Sequence, residues 1–281
     1  MSNTTDVAHP SHVEWLEDEI QSAISRWKHE HDCADYWRRP LAAIASAHDP
    51  LFEKLRLIID PEHALPSELL PSARSVIVFF IPFHKWMGEE NGRFGPFAAR
   101  SWAEAYVITN QLIASVNLHL KECLAQAGHQ SATTPATHNF DEEKLISKWS
   151  HKHLGYIAGL GTFGSHRLLI TRSGCCGRLG SLVTTMELAP TSRPREEWCL
   201  LKAGHRCSAC FAKCKYGALD ENTFDRHACY RQCLVNDNHY SDLPLVDVCG
   251  KCGCDVPCSF GIPSTPPTSP QTIRKARHGL A

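Results

Sequence analysis

The chain carries no excess of charge: 29 Lys and Arg stand against 30 Asp and Glu, for a formal net charge of -1. A protein that grips nucleic acid by neutralising many phosphates needs a basic field, so that mode is excluded for the molecule as a whole and only a local basic patch could serve it. Long apolar runs are also missing. No stretch approaches the roughly 20 residues that a membrane-spanning helix needs, so no membrane partner is expected. Residues 1–19 are polar and acidic and lack the apolar centre of a secretory signal, which makes the cytoplasm the expected location. Internal repeats are absent apart from two groups of cysteines.

With 281 residues and 43% hydrophobic content, the chain can bury a core without covalent staples. It nevertheless contains 14 cysteines. In a reducing compartment such abundance points to metal or redox chemistry rather than to disulfides. The placement is uneven: Cys33, Cys123, Cys175 and Cys176 are scattered, whereas the other ten lie between Cys199 and Cys258.

Ser11-His12-Val13-Glu14 has the form of a capping box, and Leu16, Ile20, Ile24 and Trp27 follow at helical spacing. Residues 75–83 form a β-branched and aromatic run that predicts a buried strand. A second helix is predicted over 102–127, with Ile108, Leu112, Val116, Leu120 and Cys123 on one face and Gly128 as its stop. Residues 141–157 read as helical, ahead of a glycine loop and two strand-like segments at 167–171 and 180–188. The fold class expected is α/β (or α+β) over residues 1–190, followed by a ferredoxin-like double-cluster domain over 191–263. Prolines and small residues at 189–194 predict a linker, and residues 264–281 a disordered or loosely draped tail.

Cys199, Cys207, Cys210 and Cys214 form the first cysteine group; Cys229, Cys249, Cys252 and Cys258 form the second. Eight thiolates suit two [4Fe-4S] clusters. In two-cluster ferredoxins each compact run gives three ligands to one cluster and its last cysteine to the other. Carried over, Cys199, Cys207, Cys210 and Cys258 hold one cluster, and Cys214, Cys229, Cys249 and Cys252 the other. Cys233 and Cys254 are surplus, and assignments in which either replaces one of these ligands stay open. Paired structural zinc sites are the competing reading, because Cys207/Cys210 and Cys249/Cys252 have knuckle spacing, but they leave Cys214 unused. Lys215 stands where a proline usually follows the ferredoxin cysteine, while Pro257 precedes Cys258.

Gly159-Leu-Gly161-Thr-Phe-Gly164 satisfies the GxGxxG pattern, with Glu187 at a tempting distance for a ribose. A dinucleotide fingerprint follows a strand and opens a helix, whereas here a helical segment precedes and a strand follows. A tight turn with close backbone packing accounts for the glycines, and a loop that lets a large planar cofactor approach the backbone also fits. Asp225-Arg-His227 matches the start of a cobalt-ligating histidine motif, but Tyr230 occupies the place of its glycine. His151 and His153, just before the glycine loop, are candidate catalytic groups set against the commoner reading of plain helix histidines.

Three segments together, residues 75–83, the loop AGLGTFGSHRLLIT at 158–171 with GSLVTTMEL at 180–188, and the cysteine-rich end, resemble epoxyqueuosine reductase and its relatives. The resemblance covers residues 70–263 and is closest to a short, anaerobe-type member. It implies an N-terminal domain that binds a base-off corrinoid, such as cobalamin, with Gly159, Gly161 and Gly164 at the cofactor, and a two-cluster domain that delivers electrons to cobalt. Three departures stand against it. The tRNA-modifying enzymes continue into a helical-repeat domain, their loop reads GLGWIGKN, and their proton-donating aspartate has no cleanly spaced counterpart. The nearest acids are Asp141, Glu142 and Glu143, of which Asp141 is the candidate proton donor.

The function expected is an iron-sulfur oxidoreductase supplied by a donor such as ferredoxin or flavodoxin, acting on a small or nucleoside-like substrate, with only weak, salt-sensitive affinity for tRNA. The alternatives are a ferredoxin-like electron-transfer protein without a corrinoid and a zinc-stapled interaction protein. Because the only GxGxxG lies between a helix and a strand in the wrong order, calorimetry is expected to show no tight NADH binding. Tight binding lost in Gly161→Val would contradict that order-based argument.

Overall fold

The computed structural model describes residues 11–135 and 140–264. The chain runs α1 (His12–His31), β1 (Leu41–Ser46), α2 (Leu51–Ile58), α3 (Pro66–Leu69), β2 (Ser75–Pro82), α4 (Lys85–Arg93), α5 (Arg100–Gln126) and β3 (Ser131–Thr133). It continues through β4 (Phe140–Asp141), β5 (Ile146–Ser147), α6 (His151–Ile157), β6 (Gly161–Phe163), β7 (Leu169–Thr171), β8 (Gly177–Thr184), α7 (Ala209–Lys213), α8 (Arg226–His239) and a 3-10 turn at Lys251–Gly253. Among the described residues no helix is long and apolar enough to cross a membrane. All but the first residue of the expected tail lies outside the described residues.

The β2 sequence, SVIVFFIP, is apolar without alternation because both of its faces are covered. It lies inside an antiparallel sheet of order β1-β2-β8-β3. Ile77, Phe79 and Ile81 point to one side, into a core completed by Leu16, Ile20 and Ile24 of α1 and Leu112, Val116 and Leu120 of α5. Val76, Val78 and Phe80 point to the other, against Phe52 and Leu55 of α2 and Leu154 and Ile157 of α6. Gly180 sits opposite Phe79, and a Cβ there would lie 2.2 Å from the Phe79 ring, so the glycine makes room for the aromatic.

The α1 capping box is formed as predicted, with the Glu14 amide donating to Ser11 Oγ at 3.3 Å and the Ser11 amide to Glu14 Oε2 at 2.8 Å. Helix α5 ends before Gly128, whose φ of 83° is one a side chain rarely tolerates. Residues 141–157 depart from the continuous helix expected. Asp141 Oδ1 accepts from the Glu143 and Lys144 amides and Leu145 adopts a φ of 53°, so β4 turns back into β5 and the helix starts only at His151. Strand β1, LAAIAS, is poor in strand-forming residues and owes its conformation to pairing with β2.

The expected linker is tethered to the sheet. The Thr191 amide donates to Ile44 O at 2.9 Å, the Ile44 amide to Thr191 Oγ1 at 3.1 Å, and Arg193 pairs with Asp49. Beyond it, the cysteine-bearing chain docks on the main core. The Cys175 and Cys176 amides donate to the carbonyls of Cys258 and Ser259 at 3.0–3.1 Å. Gly174, at φ 85°, lets the backbones come that close, since a Cβ there would lie 2.2 Å from Ser259 O. Lys251 is buried and donates to Asn91 O at 2.6 Å and Phe94 O at 2.8 Å, which fastens the 3-10 turn to the end of α4.

Phe79 touches both neighbouring strands and the α1/α5 layer, so Phe79→Ala should lower stability by about 3–5 kcal/mol. Urea unfolding should show a lower midpoint with an unchanged slope.

Candidate functional site

Cys199, Cys207, Cys210 and Cys258 line one recess with about 340 Å³ of unfilled space. Cys199 opens an irregular stretch, Cys207 and Cys210 flank the start of α7, and Cys258 returns from far along the chain through its docking on Cys175, just ahead of β8. Burial, then the neighbouring Cys258, Cys199 and Cys207, push the Cys210 thiol up to about 11. Four thiols turned into one recess make a donor set that a cation could hold together. A cluster of iron ions supplies that charge through thiolate ligation, and the donor set fits it.

Cys252 belongs to the second cysteine group. The Cys252 thiol is raised by burial and then by Cys249, Cys229, Cys254 and Cys214. Cys229 and Cys233 lie one turn apart on α8 and share a hydrogen bond. That bond, with Lys152 nearby, holds Cys229 below the usual thiol range, while Cys233 is raised. Cys229 is the better thiolate of the two. Cys254 is turned into the core, 3.9 Å from Cys176 Sγ and 3.3 Å from Asn91 Nδ2.

Two further groups, Cys175 and His166, were not singled out from the sequence. Cys175, His166 and Cys258 present ligand atoms within 4.8 Å of one another, a group that could hold a metal ion. The Leu168 amide donates to His166 Nδ1 at 3.1 Å, so the ring proton sits on Nε2 and is donated to Cys258 Sγ at 3.2 Å. Ser165 Oγ lies 3.5 Å from Cys199 Sγ. The only sequence signal for this was a serine and a histidine directly after Gly164.

The glycine loop is shaped by protein contacts. A Cβ at Gly159 would lie 2.6 Å from Ser192 O, one at Gly161 2.0 Å from Ile170 O, and one at Gly164 2.3 Å from the His166 ring. Gly159 and Gly161 therefore face backbone, and Gly164 makes room for the histidine that reaches Cys258. Helix α6 precedes the loop and β6 follows, an order unlike that of a dinucleotide site.

Two cavities adjoin across Leu168, Cys175, Gly177 and Arg178. One, about 580 Å³, has an aromatic wall of Phe83, Trp102 and Tyr106; the other, about 890 Å³, is lined by Trp149 and His151. Arg178 Nη2 donates to Asn110 Oδ1 at 2.6 Å, and its guanidinium lies 4.4 Å from the centre of the Tyr106 ring. Tyr106 in turn donates to Asp247. His151 is held neutral between two partners: Nε2 donates to Pro135 O at 3.2 Å, and Nδ1 lies 2.9 Å from Ser181 Oγ. Ser181 Oγ also accepts from Trp149 Nε1. His153 contacts Ser150 Oγ and Phe163 beside a third, larger cavity. The Asp141 carboxylate is engaged in its turn and lines none of these three.

No family model matches the chain, and no curated protein matches it in sequence. Its likeness to solved structures is one of fold. The chain is similar to a selenomethionine-labelled epoxyqueuosine reductase, at 14% identity and a TM-score of 0.51, over 89% of this chain and 68% of that one. The epoxyqueuosine reductase from Streptococcus thermophilus is similar at 15% identity and a TM-score of 0.51, over 91% and 69% of the two chains. A catabolic reductive dehalogenase is similar at 14% identity and a TM-score of 0.53, but 79% of this chain covers only 30% of that one. The fold is thus the mixed helix-and-sheet fold of these reductases.

Burial drives the His151 pKa down to about 4 from the ordinary 6.5. A folded-state value below the unfolded one means that the neutral ring's contribution is complete above pH 6.5 and is lost as the pH falls toward 4. Ring carbon shifts in NMR should therefore report a neutral His151 at pH 5.5, between those two values. Thermal stability should drop across that window less steeply in His151→Phe.

Proposed function

We propose that this protein is an iron-sulfur oxidoreductase in which two [4Fe-4S] clusters carry electrons to a reaction cavity. The reading rests chiefly on the convergence of Cys199, Cys207, Cys210 and Cys258 on one recess, with Cys258 brought back from the far end of the second cysteine group. Under it, Cys214, Cys229, Cys249 and Cys252 hold the second cluster, and Cys254 and Cys233 remain thiols. A ferredoxin or flavodoxin supplies electrons singly, and the acceptor is a small or nucleoside-like molecule.

The likeness in fold supports a corrinoid in the adjoining cavities, where Leu168, Cys175, Gly177 and Arg178 would hold it against the Phe83 and Trp102 wall. When bound, it would supply a cobalt centre that changes oxidation state by single electrons. The chain's own residues do the positioning. His166 Nε2 and Ser165 Oγ direct polar hydrogens at two first-cluster sulfurs, which stabilises added negative charge there. Both ring nitrogens of His151 are engaged, so that ring offers no ligand to a metal. Arg178 packs over Tyr106, whose hydroxyl proton is directed at Asp247, and Arg178 and Tyr106 both line this cavity.

Anaerobic reconstitution should give about eight irons per chain in wild type and in Cys254→Ala, and about four in Cys258→Ala. Loss of a cluster in Cys254→Ala but not in Cys252→Ala would shift the second ligand set by one cysteine. Zinc in place of iron would sink the cluster reading. A cobalamin band that fails to change on addition of the protein would leave an electron-transfer protein without a corrinoid.

A further inference from the structure

A wide cavity, about 1530 Å³ with its open mouth, is lined by Lys152, Arg167, Lys202 and Arg226 together with Phe163 and Phe224. No carboxylate is among the described residues that line it, and none of the four cations has a carboxylate partner among the described residues. In a chain whose net charge is -1, such a concentration is a local field without a carboxylate counter-charge among the described residues. The cations feel one another: burial lowers the Lys152 pKa, and Arg167 and Arg226 add to that lowering against the opposing pull of Cys229 and Cys252. Two of them are steered by backbone oxygens, Lys152 by Arg167 O and Arg226 by Lys144 O, each at 3.2 Å. Arg167 also holds a φ of 67°, unusual for a residue with a side chain.

We infer that this cavity binds a compact organic polyanion with a planar ring, a free nucleoside 5′-phosphate. Two guanidinium forks beside two ammonium groups match a phosphate dianion in charge and in hydrogen-bond geometry. Phenylalanine rings offer the ring a face, and Phe224 is 37% exposed despite being apolar. Compactness follows from what surrounds the cations. A longer polyanion would leave the recess past exposed Glu196 and Glu197, which line the next depression beyond Lys202, or past exposed Glu142 and Glu143 in the β4–β5 turn.

The site also has a direction. It shares Phe140, Ser147, Ser150 and Lys152 with the cavity that reaches Cys175, so a ligand anchored by its phosphate would extend toward the redox centre. The assignment of this ligand as the substrate rests on the oxidoreductase reading, whereas its binding does not.

Calorimetry on the reconstituted protein with the four ribonucleoside 5′-monophosphates tests the inference, with the nucleosides, inorganic phosphate and a tRNA anticodon stem-loop run alongside. At least one monophosphate should bind, with its nucleoside and inorganic phosphate each at least about tenfold weaker. Arg167→Gln and Arg226→Gln, both at exposed positions, should each weaken it about tenfold while iron content and the visible spectrum stay unchanged. Equal affinity for nucleoside and monophosphate, or unchanged affinity in both variants, would overturn the inference. Tighter binding of the stem-loop than of any mononucleotide would overturn it in favour of nucleic acid. Iron counting fails or succeeds independently of these outcomes, so the cluster reading and the anion site are judged apart.

Discussion

The arrangement depends on one close approach between two backbones. The Cys175 and Cys176 amides reach the Cys258 and Ser259 carbonyls, and Gly174 leaves the space for them to do so. Ser259 Oγ then donates to Gly253 O at 2.8 Å and accepts from the Val256 amide at 2.8 Å, so the loop that ends in Cys258 is braced from within. Each such bond contributes only about 0.5–1.5 kcal/mol net. Together they place Cys258 beside Cys199, Cys207 and Cys210 and set Cys175 between the thiol site and the cavities. A side chain at position 174 would separate all three.

Charge is divided along the same line. Thiols collect where the cysteine segment meets the sheet, and Arg167, Lys202 and Arg226 gather with Lys152 around the cation-lined cavity, where Lys152 feels both groups. Lys152 therefore links the second thiol set, through Cys229 and Cys252, to the cation-lined cavity.

Much of the scaffold was legible in the residues. The α1 capping box, the buried β2 run and the face of α5 were each carried by a local pattern of short period, and the structure contains all three. Where the local pattern was weak, the reading failed for an identifiable reason. Alanine-rich β1 becomes a strand by pairing, and the acidic stretch after Asp141 is turned by a side chain that competes with helical hydrogen bonding. The 189–194 segment has a linker's composition, but its backbone is tied to β1.

The functional elements divide in the same way. Cysteine spacing alone divided the thiols into two groups and raised the expectation of bound metal, because a cluster loop is a local device of a few residues. Spacing could not show that Cys254 turns into the core toward Cys176 or that His166 donates to Cys258, since both contacts join segments more than 70 residues apart, at separations of 78 and 92. The cation-lined cavity was equally invisible. Lys152, Arg167, Lys202 and Arg226 are unremarkable one by one along the chain, and only the folding of α6, the β6–β7 hairpin and the start of α8 around a common space makes them a site. Their shared field exists only after the chain has brought like charges together in a recess and left the balancing carboxylates outside it.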